Sequence, residues 1–251
     1  MSAEAGSELD IDLANVEGRR AFSQFHRGND NARLPAMTPS VTRGLYAIST
    51  ETPDTGALLD WAQAVLEGGA VWLQYRDKSG DGGRRLAQAH ALARACEARG
   101  AVFIVNDDIA LAQASHAAGV HVGGTDAAPA DARATLGAHR IVGVSCYDDL
   151  DRAAGIAASG VVSYLAFGAF HPSTTKPAAA RATPALLSHA AAFGLPRVAI
   201  GGITPENGRA LIDAGADLLA VVGGLAGTPE AAFAAARRYA SLFEPAGLPS
   251  S

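Results

Sequence analysis

One rhythm constrains this chain more than any other feature. From Gly44 onward, short apolar runs alternate with longer stretches of helical character, and glycine or proline marks the joins. Gly44-Leu45-Tyr46-Ala47-Ile48 reads as a strand, and Thr55 to Glu67 as a helix closed by Gly68-Gly69. Ala70 to Gln74 reads as the second strand, and Asp81 to Arg99 as the second helix, ended by Gly100. Six further strands are expected at Ala101 to Val105, Val120 to Val122, Ile141 to Val144, Val162 to Phe167, Arg197 to Ile200 and Leu218 to Val222. The helices that follow them are expected from Asp108 to Ala118, Pro129 to Leu136, Leu150 to Ser159, Pro184 to Phe193, Pro205 to Ala214 and Thr228 to Phe243. Strands separated by helices lie parallel. Their nearly continuous apolar character means that both faces are covered. Eight such units close most naturally into a (β/α)8 TIM barrel. The alternative is a doubly wound open sheet, but no Gly-x-Gly-x-x-Gly follows the first strand.

Composition bounds the function. Hydrophobic residues make up 49% of the 251, enough for a sizeable core, and the formal net charge of −5 argues against non-specific nucleic-acid binding. Cys96 and Cys146 form neither a disulfide framework nor a metal-ligand spacing, which implies a reducing, cytoplasmic setting. No apolar run approaches membrane-spanning length. Residues 1–42 mix acids, Arg, Asn, Gly and Ser and read as a poorly ordered extension, with a short amphipathic helix hinted at from Ile11 to Phe25. Residues 43–245 then form the barrel, and 246–251 a tail.

Barrel enzymes carry their chemistry where the strands end, and polar residues stand at nearly every strand exit here. Val71-Trp72-Leu73-Gln74-Tyr75-Arg76-Asp77-Lys78 leaves a hydrophobic strand directly into charge. Gln74, Arg76 and Lys78 alternate, so they point the same way in an extended chain and offer an amide and two cations to an anion. Asn106-Asp107-Asp108 follows the third strand and Gly123-Gly124-Thr125-Asp126 the fourth. Asp107 and Asp126 lie on adjacent strands, suited to one Mg2+ that also takes phosphate oxygens; Asp108 is better read as a helix N-cap. Ser145 follows the fifth strand. Ser173, Thr174, Thr175 and Lys176 offer three hydroxyls and an ammonium after the sixth. Gly201-Gly202 and Gly223-Gly224 end the seventh and eighth, the usual phosphate position of such barrels, where glycine admits close backbone approach to an oxyanion. His121, His171 and Cys146 are read as structural. Two anion positions, one metal-assisted and one glycine-rich, suggest a transferase that joins two phosphorylated ligands.

These residues resemble the thiamine phosphate synthase family over about Gly44 to Leu242. Gln74-Tyr75-Arg76-Asp77-Lys78 resembles that family's Gln-x-Arg-x-Lys, Asn106-Asp107 its Asn-Asp, and Asp126 the Asp that closes its Gly-Gln-x-Asp. Gly143-Val144-Ser145, Thr175-Lys176 and Ala199-Ile200-Gly201-Gly202-Ile203 match in order and spacing. The resemblance implies condensation of 4-amino-2-methyl-5-hydroxymethylpyrimidine diphosphate with 4-methyl-5-(2-phosphoethyl)thiazole, giving thiamine monophosphate and pyrophosphate by dissociative loss of the leaving group. It implies that Gln74, Arg76, Lys78, Asn106, Ser145 and Lys176 hold the pyrimidine diphosphate, with Arg76, Lys78, Ser145 and Lys176 acting in catalysis. It implies Mg2+ on Asp107 and Asp126, and the thiazole phosphate against Ser173, Thr175, Gly202, Val222 and Gly223. Partners are small phosphorylated substrates, with no nucleic acid or membrane, and a homo-oligomer is compatible. The chain departs from the family pattern at Gly124-Thr125, Tyr147, Ser173 and Gly223, where Gln-Glu, His, Thr and Ser are common. Two alternatives remain: a thiazole tautomerase on the same barrel, or a catalytically silent thiazole-phosphate-binding regulator.

Overall fold

A computed structural model describes residues 43–124, 128–172 and 182–244. The extension expected at residues 1–42 and the tail at 246–251 lie outside the described residues. Eight parallel strands close on themselves in sequence order: β1 (Gly44–Ile48), β2 (Ala70–Tyr75), β3 (Val102–Asn106), β4 (Gly119–Val122), β5 (Ile141–Tyr147), β6 (Tyr164–Phe167), β7 (Arg197–Ile200) and β8 (Leu218–Val221), with β1 hydrogen-bonded to both β2 and β8. The helices are α1 (Thr55–Glu67), α2 (Gly82–Ala98), α3 (Ile109–Ala114), α4 (Pro129–Leu136), α5 (Leu150–Ala158), α6 (Pro184–His189), α7 (Pro205–Asp213) and α8 (Pro229–Ala240). The open-sheet alternative is thereby excluded.

Strand alternation divides the apolar residues between two cores. Tyr46, Ile48, Trp72, Ile104, Tyr164, Ala166, Val198 and Ala220 point into the barrel. Leu45, Ala47, Leu73, Phe103, Val105, Val144 and Leu219 pack outward against the helices. The interior is aromatic: Tyr46 and Tyr164 meet Trp72 edge-on, at centroid distances of 5.3 and 5.5 Å. Such pairs contribute about 0.5–1.5 kcal/mol beyond area burial. Gly143 makes this possible, because a Cβ there would stand 2.0 Å from Cζ of Tyr164.

Aspartate starts many of the helices. Asp54, Asp81, Asp108 and Asp149 each accept a hydrogen bond from a first-turn amide (Ala57, Arg84, Leu111 and Arg152) at 2.8–3.0 Å. The expected reading of Asp108 as a cap is therefore correct, and its second oxygen takes Arg85 Nη2 at 2.9 Å.

Some boundaries differ from expectation. Helix α3 ends at Ala114 rather than Ala118, because the chain turns back at His116 (φ 56°) and the Ala118 amide already bonds Phe103 of β3. Strand β5 runs on to Tyr147 across a bulge in its pairing with β6. The helix expected to reach Phe193 tightens into a 3-10 turn after His189. Among the described residues no helix is long and apolar enough to cross a membrane.

Candidate active site at the strand ends

Strand alternation carries the second strand's polar residues to the mouth of the barrel. Gln74 is inward and buried, and its Nε2 donates to the Tyr46 hydroxyl at 2.8 Å. Arg76 comes next in the same phase. Its backbone amide donates to Ser49 Oγ at 2.9 Å, which fixes where the side chain starts. Among the described residues its guanidinium makes no hydrogen bond or ion pair, although Arg76 is only half-exposed. Lys78 is third, its amide held by Glu51 Oε2 at 3.0 Å. The intervening Asp77 points the other way and is buried. It accepts from Ser79 N at 2.7 Å, Arg84 Nη2 at 3.2 Å and the Tyr75 hydroxyl at 3.3 Å. Burial alone would raise its pKa, but the hydrogen bonds from Ser79 and Arg84 outweigh that and hold the carboxyl below its ordinary range.

The third strand adds Asn106 and Asp107. Asp107 has a left-handed backbone (φ 62°), uncommon for a residue with a side chain. Its amide bonds the His121 carbonyl of β4 at 2.8 Å. Its Oδ2 receives Asn106 Nδ2 at 2.5 Å and lies 3.4 Å from Lys78 Nζ. The residue expected to bind an anion and the one expected to bind a metal thus form an ion pair with each other, on a partly solvated rim.

Ser145 of β5 faces His121 of β4, with Oγ 2.9 Å from Nε2. The other ring nitrogen of His121 lies 2.8 Å from the Tyr164 hydroxyl, and the two rings stack at a centroid distance of 5.5 Å. Tyr164 in turn meets the Tyr46 hydroxyl at 3.1 Å. Burial pushes both phenols well above their ordinary pKa, so both stay protonated. Sequence reading missed this line of polar groups. Its one signal was phase: Tyr46, Gln74, His121 and Ser145 all occupy inward positions of their strands.

Gly201 and Gly202 both have positive φ, 102° and 61°. The close approach there is internal. A Cβ on Gly202 would lie 2.4 Å from the Pro172 carbonyl oxygen and 2.6 Å from that of His171. The expectation that glycine at this position serves an oxyanion therefore has a second cause, the backbone that leaves β6. Gly223 opens a 3-10 turn, and a Cβ there would meet nothing within 4 Å; Val222 precedes it and packs on the interior core. A small cavity of about 180 Å3 lies nearby, lined by Ile48, Thr50, Trp61, Val222 and Gly227. The larger cavity, about 460 Å3, is at the opposite end, against α2 and α3. Asp126, Ser173, Thr174, Thr175 and Lys176 lie outside the described residues. Cys146 points outward into the core and is fully buried, which pushes its thiol up to about 12, in accord with a structural reading.

A closed barrel with an amide and two cations at the exit of β2, and a hydroxyl on the inward face of β5, belongs to the class of barrel enzymes that act on small phosphorylated substrates. Residues 45–225 match the family model for thiamine monophosphate synthase. A thiamine-phosphate synthase of Xanthomonas campestris is 55% identical over 197 residues, covering 78% of this chain and 94% of the relative. One from Chromobacterium violaceum is 51% identical over 207 residues, covering 82% and 99%. The solved thiamine phosphate pyrophosphorylase of Pyrococcus furiosus superposes with a TM-score of 0.70 at 26% identity, covering 80% of this chain and 95% of that one. This chain belongs to the thiamine monophosphate synthase family.

Proposed function

We propose that this enzyme joins 4-amino-2-methyl-5-hydroxymethylpyrimidine diphosphate to 4-methyl-5-(2-phosphoethyl)thiazole and releases pyrophosphate. The C–O bond between the pyrimidine methylene and the diphosphate breaks, and its electron pair leaves with pyrophosphate. The thiazole nitrogen then supplies the pair for the new C–N bond, giving thiamine monophosphate. Such a step needs negative charge held on a departing group more than it needs a base. The observation that carries the reading is the Gln74, Arg76, Lys78 series, with a half-buried guanidinium that has no partner among the described residues. Arg76 supplies a fork to diphosphate oxygens, Lys78 a point charge, and Asn106 and Ser145 neutral donors. Lys176 joins them as the cation that meets the charge growing on pyrophosphate. Ser173, Thr175, Gly202, Val222 and Gly223 receive the thiazole phosphate.

Mg2+ suits this site. Asp107 offers a hard carboxylate oxygen on the rim, and Mg2+ prefers one or two carboxylates plus substrate phosphate oxygens. Asp126 is the second carboxylate. When bound, the ion neutralises diphosphate charge and lowers the barrier to its departure. Asp107 and Asp126 would hold the ion, and Lys78 would serve the diphosphate. The setting is cytoplasmic. Incubating the full chain with both substrates and Mg2+ and measuring thiamine monophosphate tests the reading; Asp107→Ala lowers turnover strongly and raises the Mg2+ requirement. Undiminished wild-type activity in excess chelator would remove the metal, and absence of product would remove the reaction.

A further inference from the structure

The hydrogen-bond ladder between β1 and β2 does not stop where β1 stops, because side chains continue it. Tyr46, Ala47 and Ile48 pair with Trp72, Leu73 and Gln74, and the Ser49 amide makes the last regular bond, to the Gln74 carbonyl at 2.9 Å. In a parallel ladder, a residue that donates to one carbonyl of its neighbour accepts, on its own carbonyl, the amide two residues further along that neighbour. The Arg76 amide would therefore meet the Ser49 carbonyl next, and the Lys78 amide the Glu51 carbonyl. The side chains of those same two residues take the amides instead. Arg76 N donates to Ser49 Oγ at 2.9 Å and Lys78 N to Glu51 Oε2 at 3.0 Å, both across 27 residues of chain. The backbone after β1 bends at Pro53 on its way to Asp54, the cap of α1, while the exit of β2 makes no bend before Ser79. An exit that stays in line is the condition under which Arg76 and Lys78 share one side.

We propose that Ser49 and Glu51 are positioning residues whose side-chain oxygens hold the exit of β2 extended, and so aim the Arg76 guanidinium and the Lys78 ammonium at one anionic group. That this group is the diphosphate rests on the proposed function. Ser49 is fully buried and Glu51 is exposed, so the first bond anchors the exit and the second extends its hold to the rim. A carboxylate beside an anion site opposes binding by its charge. Glu51 serves there because its oxygen is engaged by a backbone amide in a charge-assisted bond. Charge and geometry therefore call for opposite results when Glu51 is removed. On charge alone, Glu51→Ala strengthens anion binding; on geometry, it weakens it. Glu51→Gln drops the charge and keeps a carbonyl acceptor, and thus separates the two.

The test is calorimetry of inorganic pyrophosphate with the full chain in Mg2+ buffer, followed by kinetics. Glu51→Ala should bind pyrophosphate about fivefold more weakly than wild type, and Glu51→Gln no more than about twofold more weakly. Ser49→Ala should lower kcat/KM for the pyrimidine diphosphate about fivefold and leave KM for the thiazole within about twofold. Glu51 lies on the surface, so its variants decide the matter even where Ser49→Ala fails to fold. Binding by Glu51→Ala as tight as wild type or tighter overturns the proposal, and so does an equal loss in Glu51→Gln. A matching rise in KM for both substrates in Ser49→Ala would mean general loosening and would also overturn it. If wild type binds pyrophosphate and only the variants disobey, this inference fails and the functional reading stands; if wild type neither binds pyrophosphate nor forms thiamine monophosphate, both fail.

Discussion

Adjacent residues on β2's exit have opposite jobs. The Arg76 guanidinium has no protein partner among the described residues and is open to a ligand, whereas Asp77 spends its carboxylate on Ser79, Arg84 and Tyr75. Arg76→Ala should therefore reduce kcat/KM for the pyrimidine diphosphate by ~10²–10³-fold. It should shift stability by no more than about 0.5 kcal/mol; substrate kinetics beside a thermal melt separate the two. Asp77 behaves in reverse. Its folded pKa is depressed, so it stabilises the fold above the ordinary carboxylate range, and that contribution is lost as pH falls through and below about 4. The Tm of wild type should fall across that range, and Asp77→Asn should start lower at neutral pH and fall less steeply on acidification. A parallel pH profile for the two proteins would contradict the assignment. Gln74, Arg76 and Lys78 were legible in sequence because alternation along one strand is local. The Lys78–Asp107 pair was not, since it depends on how the exits of two different strands turn toward each other.

At the scale of elements, two glycines should respond in opposite senses to the same change. Gly143 on β5 leaves room for the Tyr164 ring, so Gly143→Ala should destabilise by about 1–3 kcal/mol through overpacking. It should also lower kcat, because the Tyr164 hydroxyl holds His121 against Ser145. Gly155 lies in α5, exposed, and a Cβ there meets nothing within 4 Å. Gly155→Ala should stabilise by about 0.5–1 kcal/mol with kcat unchanged. Chemical denaturation with parallel assays distinguishes them. Sequence shows a glycine in both places and no reason to treat them differently. Strand and helix identity was legible for all eight units because the periodicity of apolar residues changes so sharply at each Gly or Pro. The ends of α3 and β5 were not, because they are set by contacts with β3 and β6 rather than by propensity.

For the molecule as a whole, closure matters more than any one strand. β1 pairs on both sides, so the ring is complete from Gly44 onward. Removing residues 1–42 should leave a folded, active barrel with KM values within about twofold of the full chain; loss of folding or activity on truncation would show that those residues belong to the core or the site. The barrel's inward and outward cores also decide where its two cysteines fall. Cys146 stands one residue past Ser145 on the outer face of β5, and Cys96 lies on α2; both are buried, with thiols pushed up to about 12. Neither can ionise in the closed barrel at neutral pH. A thiol-specific alkylating reagent therefore reads opening rather than surface chemistry. Cys146 clocks the loosening of the wall beside the site and Cys96 that of the helical jacket, and the ratio of their labelling rates tells whether the barrel breathes locally or comes apart as one body.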